Sequence, residues 1–124
     1  MCLGGGLGAL ARYSLLGLIP ASSLPINVLS INILGSLFIG IVMALALEFG
    51  RASEQTRLFL AVGIAGGFTT FSTFALGTYS LLALAPGESL LYAGLSLAGG
   101  LVAVYAGLIL TRLVFQRDTA NNPE

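Results

Sequence analysis

Thr69, Thr70, Ser72 and Thr73 are interleaved with Phe68, Phe71 and Phe74 directly after the glycine pair Gly66-Gly67. No histidine exists anywhere in the chain to activate one of these hydroxyls as a nucleophile. What the stretch offers is O–H donors, the electropositive edges of aromatic rings and, wherever the backbone unwinds, free carbonyls. Donors and ring edges suit a small anion, held weakly enough to be released; carbonyls from an unwound turn suit a hard cation. Each group also has an ordinary explanation. Phenylalanines at i, i+3 and i+6 form an apolar packing stripe on a helix, and Thr69, Ser72 and Thr73 on the opposite face back-bond to carbonyls one turn earlier.

The element that must carry these residues has a length problem. The apolar run over 58–85 would extend about 42 Å as a helix, against a hydrocarbon core of about 30 Å. It must tilt, overhang or break, and the break signals cluster at its midpoint. Irregular backbone at membrane depth survives only where protein buries it or it lines a cavity, so 66–74 is the candidate site.

Composition puts the whole chain in the membrane. Of its 124 residues 56% are hydrophobic and 8% charged, with mean hydropathy +0.99; soluble domains carry about 25% charged residues. Zero net charge and the absence of Lys leave no basic face for nucleic acid and no polybasic tract for anionic lipid. Cys2 is the only cysteine, so neither a disulfide framework nor a multi-cysteine metal cluster is possible within one chain. Four apolar segments separate, at about 2–19, 26–47, 57–85 and 89–115, divided by Pro20 to Pro25, by Glu48 to Arg51, and by Pro86-Gly87. None alternates as a strand would. The expectation is an all-α membrane protein with four transmembrane helices, the third broken at its centre, as one domain over 1–115 with a polar, disordered tail over 116–124. The first segment lacks a positive n-region and has Arg12 in its middle, so it reads as a retained helix rather than a leader. Arg51, Arg57, Arg112 and Arg117 fall on one side, which predicts cytoplasmic termini.

Small residues recur at packing intervals: Gly4 and Gly8; Gly35 and, further on, Gly40; Ser96 and Gly100; Gly99, Ala103 and Gly107. All five acids, Glu48, Glu54, Glu88, Asp118 and Glu124, map to ends, loops or the tail. That argues against a proton-coupled multidrug exporter, which needs a titratable group in its pathway. The polar groups left inside are Arg12, Asn27, Asn32 and the hydroxyls. Asn32 offers two N–H donors without charge, for an anion or for an interhelical hydrogen bond. Arg12 either snorkels or draws anions toward a vestibule. On composition alone, a structural subunit of a larger membrane complex also remains open. No phosphate-binding Walker sequence is present.

In combination the motifs are specific. Gly66-Gly67-x-Thr69-Thr70-Phe71-Ser72-Thr73-Phe74 resembles the third-helix signature of the small fluoride channels of the Fluc/CrcB family. Gly5-Gly6-x-Gly8-Ala9-x-x-Arg12-Tyr13 resembles its first-helix motif, Ile31-Asn32-x-x-Gly35-Ser36-x-x-x-Gly40 its second, and Tyr92-Ala93-Gly94-x-Ser96 its fourth. The resemblance covers nearly the whole chain, in order, with one motif per segment. It implies a fluoride-selective passive channel in the plasma (inner) membrane, not an enzyme, built as an antiparallel, dual-topology dimer with two pores. It further implies that Phe71 and Phe74 turn ring edges to the ion and that Asn32 binds entering fluoride. Thr70 and Ser72 join this pore lining. Tyr92 and Ser96 begin a polar track, and Arg12 is the vestibule arginine. The backbone carbonyls of Gly66 and Thr69 are expected to hold a structural Na+ at the dimer centre.

The chain departs from the family pattern at four places. Asn27-Val28 stands where a glycine-threonine pair is usual, Gly77 where a carboxylate is common, and Gly100 and Val104 where the polar track would continue. The one-sided arginines fit a fixed orientation better than dual insertion. The partner is therefore either a second copy of the chain or an oppositely oriented homologue that supplies the missing groups. The homodimer is favoured because Asn32 and both phenylalanines are intact.

Overall fold

The structure is a computed structural model that describes residues 1–20 and 22–121, with side chains described as far as Gln116. Among the described residues every regular element is helical. Helix α1 (Cys2–Leu18) stops where Ile19 turns extended ahead of Pro20 (φ −94°, ψ 118°), the conformation a following proline imposes. Helix α2 (Ile26–Met43) starts behind Pro25 and continues as a π-helical segment, Ala44–Glu48. It ends at Gly50, whose φ of 58° requires a residue without a Cβ.

The third segment is a composite. Ser53 caps α3 (Glu54–Arg57) by accepting from Thr56 N at 3.1 Å. A π-helical stretch, Leu58–Ala65, and the short α4 (Gly66–Phe68) carry the chain to mid-segment. There Thr69 (φ −76°, ψ 159°) and Thr70 (φ −147°, ψ 113°) are extended, and α5 (Phe71–Leu84) resumes the course. The expected break is present at the centre, but one step later than the sequence suggests. Gly66 and Gly67 are helical and the two β-branched threonines are the unwound residues, as their preference for extended backbone favours. Helix α6 (Pro86–Asn121) begins with proline at a position that needs no N–H. It runs through 116–121, where composition predicts disorder, because adding residues to an existing helix costs far less than starting one; 122–124 lie outside the described residues.

Three of these helical runs, Ile26–Glu48, Glu54–Leu84 and Pro86–Gln116, are long and apolar enough to cross a membrane. At 17 residues α1 is slightly shorter, about 26 Å against the core's 30 Å. Large side chains such as Leu3, Leu10, Tyr79, Leu101 and Val102 point outward, whereas the buried set is small: Val28, Ile31, Val42, Ala44, Ala65, Leu81, Tyr92 and Ala103. An exterior this apolar is matched to lipid, and in lipid helices associate through close backbone approach rather than through the hydrophobic effect.

Glycine provides that approach along two seams. A Cβ on Gly4 would lie 2.9 Å from Phe59 O, one on Gly8 2.8 Å from Phe68 N, and one on Gly67 3.0 Å from Gly5 Cα. Helix α1 therefore runs parallel to the first half of the third segment, almost backbone to backbone. Along the second seam, Gly99 faces Ile33, Gly100 faces Ser36, and Gly107 meets Ile41 N and Gly40 Cα at 3.0 and 3.1 Å from where its Cβ would stand. Helices α2 and α6 are thus parallel and in register. Helix α5 returns against α6, fastened where the buried Ser89 hydroxyl donates to Thr78 O at 2.7 Å. At one end of the molecule Arg112 makes a two-pronged pair with Glu48 (2.6 and 2.7 Å), and Arg51 lies 4.4 Å over the Phe115 ring.

Gly8→Val tests the first seam. Overpacking there should destabilise the purified protein by about 1–3 kcal/mol, read as a lower unfolding midpoint in detergent. Gly17→Ala, in open space, should leave the midpoint unchanged or raise it slightly, since alanine favours the helix.

Candidate functional site

The break survives because Asn32 replaces the missing helical hydrogen bonds. From α2 its Oδ1 accepts from Thr70 N at 2.8 Å and its Nδ2 donates to Thr70 O at 3.1 Å. One neutral amide thereby satisfies both backbone groups of an extended residue in apolar surroundings, where each would otherwise cost about 1–3 kcal/mol. Gly35, three residues along α2, leaves room for this. A Cβ there would overlap the Thr69 methyl group and lie 3.3 Å from Phe68 Cδ1.

The threonines then restart the helix. Thr70 Oγ1 accepts from Thr73 N at 3.2 Å, capping α5, and donates to Thr73 Oγ1 at 3.0 Å, with Ser72 Oγ at 3.3 Å. Thr69 Oγ1 back-bonds to Ala65 O at 3.0 Å. These bonds divert two backbone donors from their usual helical acceptors. Thr70 N, the normal donor to Gly66 O, is bonded to Asn32, and Thr73 N, the normal donor to Thr69 O, is bonded to Thr70 Oγ1. Arg12 reaches Thr69 O from α1 with Nη1 at 3.3 Å, so its guanidinium lies at the break and ties α1 to it. A carbonyl oxygen has two lone pairs, which leaves one on Thr69 for another partner.

Around the break lies a cavity of about 240 Å³ lined by Asn32, Ser36, Ile39, Thr69, Thr70, Phe71, Phe74, Ser96 and Leu97. The N-terminus of α5, with its partial positive charge, lies at the same place. Phe71 and Phe74 sit with ring centroids 5.7 Å apart and tilted by 49°, and Phe74 meets Tyr92 at 5.5 Å and 40°. Tyr92 is 2% exposed; its OH and Ser96 Oγ, one turn apart on α6, are both buried and have no well-formed hydrogen bond to any other group. Such groups are expensive unless something reaches them. The three rings differ in setting: Phe71 is 77% exposed on the single chain, while Phe68 turns away into an apolar pocket with Ala11, Leu34, Phe38 and Ile64.

Most of the residues singled out in the sequence thus gather at one place: Asn32, Thr69, Thr70, Phe71, Phe74 and Ser96 line one cavity, and Arg12, Gly66, Ser72 and Tyr92 border the break or its rings. The departures from the family pattern have local explanations. At Gly77 a Cβ would lie 3.1 Å from Pro25 Cγ and 3.6 Å from Tyr92 Cε1, so the space a longer side chain needs is filled. Asn27 Oδ1 accepts from the adjacent Val28 N at 2.9 Å. The backbone of Val104 is packed on Gly40. The interhelical hydrogen bonding open to Asn32 is present, and what the sequence does not reveal is its two-way form on the Thr70 backbone and the place of Ser36 in the lining. Among the described residues no cluster of acidic, histidine and cysteine side chains suits a transition metal.

Fold and cavity together define a multi-pass α-helical integral membrane protein whose polar centre suits ions rather than catalysis. Residues 1–108 match the family model described as CrcB-like protein, Camphor Resistance (CrcB). A protein of Thermus thermophilus named fluoride-specific ion channel FluC is 46% identical over 111 residues, 86% of this chain and 88% of that one. Proteins of the same name from Hyphomonas neptunium and Chlorobium chlorochromatii are 42% and 43% identical, covering 93% and 89% of this chain and 94% and 88% of their own lengths. The chain belongs to the CrcB family.

Replacing Asn32 by Ala removes both bonds that hold Thr70. Hydrogen exchange across Thr69–Phe71 should then speed up at least about tenfold, the loss of roughly one buried hydrogen bond. Unchanged protection would mean that the break is held by something else.

Proposed function

We propose that this chain is a fluoride-selective passive channel of the plasma membrane and not an enzyme. The observation that carries the reading is a mid-membrane cavity walled by neutral donors and phenyl rings, with no carboxylate among its lining residues. Such a lining attracts a small anion without holding a fixed positive charge against it, and it has no proton-coupling group. Hydrogen fluoride crosses lipid as a neutral acid and ionises in a less acidic cytoplasm, where the anion is trapped. An open anion path then lets a negative-inside potential expel it, at about 2.3 kcal/mol per charge per 100 mV.

In this reading Phe71 and Phe74 offer ring edges to the ion. Asn32 keeps one N–H beyond the one it spends on Thr70, and that donor contacts entering fluoride. Thr70 and Ser72 act mainly by holding the first turn of α5 open to the cavity, since their hydroxyls are engaged with each other and with Thr73. Tyr92 and Ser96 carry the ion onward with their hydroxyls, and Arg12 raises the local anion concentration.

The exposure of Phe71 at the edge of the cavity supports completion of the pore by a second copy of the chain, inserted in the opposite orientation. The parallel registers of α1 with the third segment and of α2 with α6 support four crossings, with α1 at the same depth as its partner. The carbonyls of Gly66 and Thr69 fit a sodium ion at the centre of that dimer, with Arg12 a competitor for the Thr69 oxygen. A bound Na+ would supply a fixed positive charge and hold the broken turns of two subunits together.

Purified protein in liposomes with a potassium-driven gradient, read by a fluoride electrode, tests the reading. Rapid fluoride efflux without comparable chloride efflux is expected; no fluoride efflux, or equal chloride efflux, overturns it. Phe71→Ile and Phe74→Ile should each reduce flux by at least about tenfold, as loss of a ring-edge contact to the ion implies, whereas Phe68→Ile should be mild. Equal loss at all three would indicate packing.

A further inference from the structure

The α2–α6 seam puts their polar residues in two tiers. Ile33 faces Gly99, Ser36 faces Gly100 and Gly40 faces Val104, so Asn32 and Ser96, each four residues earlier, share a level. Ser36 and Gly100 occupy the next, one helical turn or about 6 Å further toward the Glu48–Arg112 end. At the first level both helices contribute polar groups. At the second, α6 contributes none, and the Ser36 hydroxyl of α2 stands 3.4 Å from the position a Gly100 Cβ would take.

One observation separates Ser36 from the other membrane serines. Among the described residues Ser36 Oγ makes no hydrogen bond, but neither do those of Ser14, Ser30 and Ser80; what sets Ser36 apart is its place, because its side chain lines the same cavity as Ser96, whose Oγ is buried without a well-formed hydrogen bond. A cavity-lining hydroxyl with no partner in the protein is free to donate to whatever occupies the cavity.

We propose that Ser36 is an anion-coordinating residue, donating its O–H to the permeating ion one turn beyond Asn32 and Ser96, and that glycine at position 100 keeps the facing wall open at that level. The passage thus changes helix: its donors come from both α2 and α6 at the first tier and from α2 alone at the second. This rests on the fluoride reading above. It also accounts for the polar track on α6 stopping at Ser96.

The test measures fluoride efflux from liposomes for wild type, Ser36→Ala, Ser36→Thr, Ser36→Cys and the double variant Ser36→Ala/Gly100→Ser, each first checked for a single symmetric size-exclusion peak. Ser36→Ala should slow efflux about tenfold, as loss of one hydrogen bond to a charged group implies. Ser36→Thr should keep most of the rate, and the near-isosteric Ser36→Cys, a weak donor, should fall between. Moving the hydroxyl to the facing helix in the double variant should restore flux several-fold over Ser36→Ala, which a purely structural serine would not do. Wild-type rates in Ser36→Ala and Ser36→Cys, or a well-folded double variant no faster than Ser36→Ala, would overturn the proposal. An inactive wild type would instead remove the fluoride reading and this proposal with it.

Discussion

The architecture depends on one constraint: a helix broken in the middle of a membrane must have its exposed backbone groups satisfied by protein. Asn32 meets this for Thr70 by bonding its N–H and its C=O at once. An amide is the side-chain group that can both donate and accept in one plane without charge. A carboxylate could only accept, and a hydroxyl could not span both groups. The break is therefore held from α2 as well as favoured by the threonines of the segment that contains it.

Other features follow from having a break at that place. Gly35 is small so that α2 can press against Thr69, and Gly8 and Gly67 are small so that α1 and the third segment can touch along their backbones. Thr70 then restarts the helix with its own hydroxyl, and α5 opens its positive end at the cavity. The tilted sequence of Phe71, Phe74 and Tyr92 rings runs from the exposed edge of the chain into its buried centre. The same bonds that hold Thr70 and restart α5 also take the usual helical donors away from the carbonyls of Gly66 and Thr69.

Much of this is legible in the sequence because lipid leaves few ways to satisfy a backbone. The excess length of 58–85 and the cluster of Gly and Thr at its middle locate the break to within a few residues. The hydrophobic segments give the helices, and glycines at four-residue spacing give the faces. What the sequence obscures is which small or polar residue does which job. Gly66-Gly67 reads as the flexible point, yet those residues are helical, and Gly67 serves close approach to Gly5. Asn32 reads either as an anion ligand or as an interhelical hydrogen-bonding group, and that its partner is the backbone of Thr70 depends on a contact 38 positions away. Ser36 is indistinguishable from a packing serine until the register of α2 on α6 is known. The extension of α6 to Asn121 is hidden by a polar composition that a preceding helix overrides.

The central claim is that the cavity at this break conducts fluoride and discriminates it from larger halides. The most direct measurement is the reversal potential of the purified protein in a planar bilayer with fluoride on one side and chloride on the other. The account predicts a reversal far to the fluoride side, fixed by the fluoride gradient and insensitive to chloride. A reversal near zero, or one that follows chloride, would contradict it.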